Sequence, residues 1–327
     1  MRILVTGSAG HLGEALMRTL AHSEHEAVGL DIQKSPFTQR VGSIVERAFV
    51  EECVQGAEVV LHTATLHKPH IETHSRQDFV DTNITGTLNL LEAAAAAGVK
   101  GFVFTSTTST FGRALVPARG EPASWITEAV VPIPKNIYGI TKLAAENLCE
   151  LIHRRSGLPC VVLRTARFFP EDDDNRNVRA AFDNDNLKVN ELLYRRADIE
   201  DVVTAHLLAV SKAPALGFDR FVISANTPFT RDDLPELHTH AERVVQRLFP
   251  GHEAVYRQRG WALPSTIDRV YVNERARTHL GWQPRYDFNY AIQQLRTNQE
   301  YRSPLALAVG AKGYHAQEFL DEPYPVS

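Results

Sequence analysis

Tyr138 and Lys142 are four residues apart, at the start of a segment rich in helix-forming residues. On a helix, this spacing places both side chains on the same face. A free tyrosine has a pKa near ~10, and lowering it to near 7 requires about 4 kcal/mol of differential stabilisation. An ammonium group in a partly desolvated cleft can supply much of that energy. The pair could therefore be a catalytic acid/base couple, although the same spacing often arises by chance.

A run of hydroxyl side chains at residues 105–110 follows a short apolar segment that predicts a strand at 101–105. In a parallel sheet, a hydroxyl at the carboxyl end of a strand lies at the ligand crevice. There it could hydrogen-bond a substrate alcohol or carbonyl. Such runs are also common in turns, so the position of this one, shortly before the Tyr138 helix, is what makes it a candidate.

A glycine pattern opens the chain, with Gly7, Gly10 and Gly13 between a β-branched run at 2–6 and a helical pattern at 14–20. Strand, glycine turn and helix together bring a pyrophosphate onto a helix N-terminus. Asp31 ends the next predicted strand, where a carboxylate accepts hydrogen bonds from ribose hydroxyls and repels a 2′-phosphate. This predicts NAD rather than NADP. Two alternatives stay open: nearby Lys34 could tolerate NADP, and Asp31 could be a turn residue.

The alternation of strands and helices continues along the chain and predicts an α/β fold, a doubly wound parallel sheet. Strands are predicted at 57–61, 159–163 and 218–224, and helices at 78–97, 138–155 and 199–210. The polar, irregular stretch 167–196 and the region after 227 break this alternation. We expect a Rossmann domain of residues 1–166 plus 197–226, and a smaller discontinuous α/β cap of residues 167–196 plus 227–327.

The composition excludes several classes of protein. The 327 residues carry 35 Lys and Arg against 39 Asp and Glu, so nothing favours nucleic acid or an anionic membrane as partner. No apolar run approaches the ~20 residues of a membrane span, and the first residues lead directly into glycines instead of a signal peptide. Cys53, Cys149 and Cys160 have no paired spacing, so neither disulfides nor a zinc site is predicted. We expect a cytoplasmic protein.

These motifs together resemble the extended short-chain dehydrogenase/reductase family, the NAD-dependent epimerases and dehydratases of sugars and sugar nucleotides. The resemblance spans about residues 1 to 295. It is carried by the segments 6–13, 83–87, 102–107, 126–128, 138–142, 198–202 and 280–284, together with Asp31. Several independent motifs in the right order are far more specific than any one of them.

The resemblance implies a role for each matching residue. Tyr138 would be the acid/base, Thr107 would hold the same substrate oxygen, and Lys142 would bind the nicotinamide ribose and lower the pKa of Tyr138. The positive ring of NAD would add to that lowering. No metal is implied. The residues implied to bind NAD are Gly7, Ala9, Gly10, His11, Leu12, Gly13, Asp31, Ser43, Ile44, His62, Ala64, Asn83, Tyr138 and Lys142.

Several positions depart from the family pattern. Thr108 and Ser109 stand where 4,6-dehydratases have an acid and a base, which argues against that reaction. Arg167 replaces an asparagine of nucleotide-sugar enzymes and suits a carboxylate or phosphate. It could equally pair with the acidic run at 171–174, which we otherwise expect to be a solvated loop. The candidate substrate contacts are Thr108, Arg167 and Arg196, with Arg195 as an alternative to Arg196.

His67, His70 and His74 could suggest a metal site, but their spacing fits no single strand or helix face. We therefore expect a solvated or substrate-lining loop.

Three functions remain at this point. The leading hypothesis is an NAD-dependent oxidoreductase of the epimerase/dehydratase type that acts on a sugar or sugar nucleotide, most simply by 4-epimerisation. The alternative is a net dehydrogenase of a free sugar, sugar acid or other anionic hydroxylated compound, and the third is a non-catalytic NAD-binding protein. The family resemblance also implies a homodimer, in which helices 78–97 and 138–155 pair with their copies in a four-helix bundle.

Overall fold

A seven-stranded parallel sheet forms the centre of the protein. The computed structural model describes residues 1–173 and 175–313. The sheet has the order β3-β2-β1-β4-β5-β7-β8, and β6 and β9 form a separate parallel pair. The strands are β1 (Arg2–Thr6), β2 (Glu26–Asp31), β3 (Arg40–Val41), β4 (Val59–His62), β5 (Gly101–Thr107), β6 (Ser124–Ile126), β7 (Cys160–Thr165), β8 (Phe218–Ile223) and β9 (Arg269–Tyr271).

Helices cover both faces of this sheet, which confirms the predicted doubly wound α/β fold. They are α1 (His11–Leu20), α2 (Arg47–Val54), α3 (Arg76–Val80), α4 (Gly86–Ala96), α5 (Ile137–Ser156), α6 (Arg176–Ala181), α7 (Asn184–Leu192), α8 (Ile199–Leu216), α9 (Leu234–Leu248), α10 (His252–Arg259), α11 (Glu274–His279), α12 (Phe288–Arg296) and α13 (Pro304–Val309). One core packs α1 and α8 against the sheet, and a second packs α2, α4 and α5 against the other face. None of the described helices is long and apolar enough to cross a membrane.

The structure differs from the sequence prediction in two segments. The helix expected at 78–97 is divided, because a π-helical turn at Asp81–Thr85 separates α3 from α4. Such turns often occur at functional sites, and this one carries the buried Asn83. The stretch 167–196, expected to be irregular, contains α6 and α7. Side chains at 183 and 175 cap these helices, a signal that polar composition concealed.

A third core joins α7 to the region after residue 225 and includes Leu192, Leu237, Val270 and Phe288. This packing is what a cap built from 167–196 and 227 onward requires. However, Trp282, Ala276 of α11 and Val309 of α13 pack into the first core, against the sheet. The division into two domains therefore remains a prediction, and its last part, residues 314–327, lies outside the described residues.

Glu146 lies on the polar face of α5, and its side chain is fully buried against the sheet. One carboxylate oxygen of Glu146 accepts hydrogen bonds from Ser106 of β5 (2.5 Å) and from Nε of Arg164 of β7 (3.1 Å). Its other oxygen accepts from Nη2 of Arg164 at 2.8 Å. A buried ion pair of this kind fixes geometry, and losing one partner leaves an uncompensated charge. This contact holds α5 in place over the ends of β5 and β7.

We expect Glu146→Ala to lower the free energy of unfolding by about 3–5 kcal/mol, because Arg164 would be left buried without its counter-ion. The matched change Glu51→Ala removes the exposed partner of Arg47 and should have a far smaller effect. Urea denaturation of both variants measures the difference. Similar losses in the two variants would contradict the role given to Glu146.

Candidate functional site

A large cleft of about 1370 Å³ lies at the carboxyl ends of the sheet strands. It is lined by the glycine loop at 7–13, the end of β2, residues 63–74, the end of β5 and the start of α5. Residues 165–173, Arg195 and β9 close its other side. This is where ligands bind in open α/β sheets, and it gathers most of the residues that the sequence predicted.

Tyr138, Lys142 and Thr107 lie together in this cleft. The Thr107 side chain is near enough to Tyr138 to favour the charged form of the phenol. Lys142 donates from Nζ to the carbonyl oxygen of Thr105 at 2.7 Å and lies 4.0 Å from the centre of the Phe104 ring. A helix face and a strand end therefore bring together the three residues that the family resemblance singled out.

The electrostatics of the pair differ from the sequence expectation. Burial raises the pKa of Tyr138 to about 12, and the Thr107 side chain only partly opposes this. Burial also lowers the pKa of Lys142 to about 7, although the nearby Glu146 favours the charged ammonium. The expected lowering of the tyrosine pKa by Lys142 is thus absent in the structure. Any such lowering requires further positive charge in the cleft.

The glycine loop has the shape that a dinucleotide needs. Gly7 has a φ of +75°, and a Cβ there would be 2.7 Å from the backbone nitrogen of Ala64. A Cβ on Gly13 would be 1.9 Å from the carbonyl oxygen of Gly7, so only glycine allows α1 to start this close to the strand. Gly10 precedes α1 and no side chain caps the helix. The first N–H groups of α1 are therefore suited to a phosphate.

The predicted contacts around the adenosine end also line the cleft. Asp31 ends β2 and accepts hydrogen bonds from the backbone N–H groups of Ala9 (3.0 Å) and Gln33 (2.9 Å). Its carboxylate thus faces the glycine loop. Leu12, Ser43, Ile44 and Ala64 are in the cleft wall as well. The residues present fit NAD at this end of the cleft.

Two predicted cofactor contacts are instead buried supports. His62 is fully buried, and its ring nitrogens bond Thr6 (2.7 Å) and Thr87 (2.9 Å). Burial, and then the charge of Lys142, lower its pKa well below the ordinary value, so it is a neutral core histidine that does not line the cleft.

Asn83 uses all its hydrogen-bonding capacity within the protein. Its Oδ1 accepts from the backbone N–H of Leu66 and from the Thr65 hydroxyl, both at 2.9 Å. Its Nδ2 donates to the carbonyl oxygen of Leu66 (2.9 Å) and to the hydroxyl of Thr141 (3.0 Å). The contact of Asn83 with the cofactor therefore stays a prediction, which these hydrogen bonds do not support. It ties the loop after β4 to α5, beside Lys142.

The arginines expected to meet the substrate are paired with acids. Arg167 forms ion pairs with Asp173 and Glu191, which is the alternative the sequence left open. Arg196 bonds Glu191 at 2.9 Å and is outside the cleft lining, so its contact with substrate stays a prediction that the structure does not support. Burial favours neutral Glu191, but Arg167, Arg195 and Arg196 outweigh it and lower its pKa to about 2.

The acidic run is not the solvated loop that we expected. Asp173 is buried against Arg167, and Glu171 accepts a hydrogen bond from His11 at 2.7 Å. Asp174, the last residue of this run, lies outside the described residues. The side chain of His11 is thereby engaged by Glu171, which leaves its backbone for the predicted contact with the cofactor.

The histidines of the loop after β4 line the cleft, one of the two outcomes the sequence allowed. The rings of His67 and His70 are 4.7 Å apart, and His67 stacks on Phe169 at 5.3 Å. Within residues 1–173 and 175–313, no group of three or more His, Cys, Asp or Glu side chains is arranged to hold a metal ion. Thr108 also lines the cleft, at the base of the 3₁₀ turn Thr108–Phe111.

Sequence reasoning missed several residues of the cleft wall, among them Arg269, Tyr271 and Lys312. The first two come from β9, which is too short to show a strand period. Lys312 forms an ion pair with Glu14 of α1, and its backbone N–H donates to Glu171 at 3.0 Å. No local motif marks any of them, because each reaches the cleft through the packing of distant segments.

Known proteins are similar to most of this chain. A family model described as the NAD dependent epimerase/dehydratase family matches residues 3–223. The UDP-glucose 4-epimerase of Rhizobium leguminosarum bv. trifolii is 28% identical over 324 residues, which cover 89% of this chain and 95% of that protein.

Two solved structures show the same fold. One is a short-chain dehydrogenase/reductase superfamily protein from Agrobacterium tumefaciens with bound NAD, with a TM-score of 0.65 and 22% identity over 91% of this chain and 96% of that one. The other is a UDP-glucuronic acid 4-epimerase from Bacillus cereus in complex with UDP-glucuronic acid and NAD. It has a TM-score of 0.62 and 21% identity over 90% of this chain and 97% of that one. Since the family model matches well over half of its residues, this chain belongs to the NAD-dependent epimerase/dehydratase family of enzymes, whose cofactor is NAD.

Proposed function

We propose that this enzyme catalyses 4-epimerisation of a sugar or sugar nucleotide. The observation that carries the proposal is that Tyr138 and Thr107 lie together, with Lys142 beside them, in the cleft that fits NAD. Acid/base chemistry at a substrate hydroxyl needs such a pair next to the cofactor. The similarity to the UDP-glucose 4-epimerase of R. leguminosarum supports this reaction type.

Bound NAD would supply reversible hydride transfer. The residues of the chain would move and hold the proton. Tyr138 would take the proton from the C4 hydroxyl as that carbon becomes a carbonyl, and would return it when the hydroxyl re-forms on the other face. Thr107 would donate a hydrogen bond to the same oxygen and so keep it within reach of Tyr138. Thr108 follows Thr107 in the chain and would add a second hydroxyl beside the substrate.

Lys142 would supply positive charge next to Tyr138. Its ammonium competes with burial, and Glu146 helps to retain the charged form. A charged Lys142 together with the positive ring of the cofactor would lower the pKa of Tyr138 from about 12 toward the working range. We infer that Lys142 also bonds the nicotinamide ribose, as the family resemblance implies.

The rival function, a net dehydrogenase of an anionic sugar, rested on Arg167 as a free cation. Asp173 and Glu191 now pair with that arginine, so this reason is weakened. Cofactor fate separates the two reactions, because an epimerase regenerates NAD in place whereas a dehydrogenase releases NADH. Steady accumulation of NADH with a sugar acid, and none with a sugar nucleotide, would favour the rival. The three-residue site argues against a non-catalytic NAD-binding protein.

We further propose a homodimer through α5 and the helices before it. Ile140 and Leu151 of α5 are exposed by 52% and 43%. They are eleven residues apart, which is close to three helical turns and places them on one face. An exposed apolar stripe of this kind is typical of a helix that packs against a partner.

A location in the cytoplasm remains our prediction from the sequence.

Tyr138→Phe should lower kcat by roughly 10²–10⁴-fold, because it removes the proton-transfer group. The rate is measured by the interconversion of UDP-glucose and UDP-galactose. Tyr290→Phe, outside the cleft, is the matched control. If Tyr138→Phe keeps the rate of this control, Tyr138 is not the acid/base.

The pH dependence of stability tests the state of Lys142. Its pKa is about 7 in the folded protein against 10.5 ordinarily, so between these values the unfolded chain binds more protons. The free energy of unfolding should therefore rise with pH across this window, by up to about 1.4 kcal/mol per pH unit. Lys142→Met should lack this rise. The comparison uses urea denaturation at several pH values. An equal dependence of the unfolding free energy on pH in both proteins would show that the pKa of Lys142 is not lowered.

Leu151→Arg should convert the proposed dimer to a monomer, because it places a charge in the apolar interface. The site at Tyr138 is several turns away and should keep its NAD affinity. Sedimentation at micromolar concentration measures the mass. A wild-type protein that is already monomeric would exclude the dimer, and a dimer that survives in Leu151→Arg would place the interface elsewhere.

A further inference from the structure

Residues 303–313 bring a late part of the chain to the start of α1. Ser303 is fully buried, and its backbone N–H donates to Asp198 at 3.0 Å. α13 follows, and its Val309 is buried in the first core, which also contains Leu16 of α1. This packing holds the segment against the helix that follows the glycine loop.

Lys312 lies near the end of this segment and lines the cleft. Its ammonium forms an ion pair with Glu14, in the first turn of α1, and its side chain is 22% exposed. Its backbone N–H donates to Glu171 at 3.0 Å, and Glu171 also accepts a hydrogen bond from His11, the first residue of α1, at 2.7 Å. Lys312 is thus held at the N-terminus of the helix by both its side chain and its backbone.

Two carboxylates lie beside this helix N-terminus. Burial favours the neutral form of Glu14, but Lys312 and Arg18 outweigh it and lower the pKa of Glu14. Burial likewise favours neutral Glu171, and its hydrogen bond with His11 is the main contact that lowers its pKa instead. Both side chains are therefore negatively charged at neutral pH.

The pyrophosphate of NAD would bring two further negative charges to this part of the cleft. The N–H groups at the start of α1 supply only roughly half of one positive charge. A cation that reaches the same place is needed to offset repulsion from Glu14 and Glu171. Arg18 pairs with Glu14 at 2.7 Å but does not line the cleft, whereas Lys312 does. Because an ammonium has three donors, Lys312 can keep its bond with Glu14 and still donate to a phosphate oxygen.

We propose that Lys312 binds the pyrophosphate of NAD. Glu14 keeps the ammonium at the start of α1, and Glu171 fixes the backbone that carries it. The segment 303–313 is thereby part of the cofactor site, which the glycine loop does not complete by itself. Binding of the cofactor in this way does not depend on which sugar reacts.

Ligand binding without sugar tests this. NAD, ADP and adenosine are titrated by calorimetry into the full-length protein freed of nucleotide. ADP keeps the pyrophosphate, and adenosine lacks it. The titrations are repeated with Lys312→Met, with Lys312→Arg and with Lys212→Met. Lys212 is an exposed lysine of α8 outside the cleft lining, and its change removes the same charge.

We expect Lys312→Met to weaken the binding of NAD and ADP by roughly 10- to 100-fold, because a hydrogen bond between two charged groups is lost. Lys312→Arg should restore most of the affinity. Lys212→Met should have no effect, and the affinity for adenosine should not change in any variant.

A second pair of variants separates binding of the pyrophosphate from simple cancellation of the charge of Glu14. Glu14→Gln removes that charge and keeps an acceptor for Lys312. If Lys312 donates to the cofactor, adding Lys312→Met to Glu14→Gln should again weaken NAD binding by roughly 10-fold or more.

Four outcomes overturn the proposal. The first is that Lys312→Met binds NAD and ADP as Lys212→Met does. The second is an equal loss of affinity for adenosine, which would indicate a general disturbance of the site. The third is a failure of Lys312→Arg to restore affinity. The fourth is that Lys312→Met has no effect in the Glu14→Gln protein, because Lys312 would then act on Glu14 alone.

Discussion

The burial of a polar helix face against the end of one strand organises this protein. Tyr138, Lys142 and Glu146 follow one another at intervals of four along α5 and share one face of it. Each lies at a different part of the end of β5: Tyr138 is beside Thr107, Lys142 donates to the carbonyl oxygen of Thr105, and Glu146 accepts from Ser106. Arg164 of β7 completes the row as the counter-ion of Glu146.

Ion pairing and burial have opposite effects on the charges of these side chains. Glu146 is held as a carboxylate by Arg164 and favours the charged form of Lys142, whereas burial disfavours every charge in the row. Lys142 therefore has a pKa near neutrality and Tyr138 a raised one. In such a site, one added positive charge can lower the pKa of Tyr138 strongly, and the proposed chemistry requires this lowering.

Local motifs were the part of the site that the sequence could predict. The glycine loop, Asp31 and the Tyr138–Lys142 spacing are each contained in a few consecutive residues, and the structure brings them to one cleft. The sequence could not show which groups His62, Asn83 and Arg167 contact, because most of their partners are distant in the chain. Those partners are Thr6 and Thr87, Leu66 and Thr141, and Asp173 and Glu191. Arg269 gave no signal, since a strand of three residues shows no period.

The pKa of Tyr138 with and without NAD tests the central claim most directly. It is followed by tyrosinate absorbance during an alkaline titration, as the difference between wild type and Tyr138→Phe. The account predicts a pKa of about 12 for the protein alone, and a fall of about 1 to 3 pH units when NAD is bound. A pKa that is the same in both states would contradict it, because Tyr138 would then have no means of accepting a proton at neutral pH.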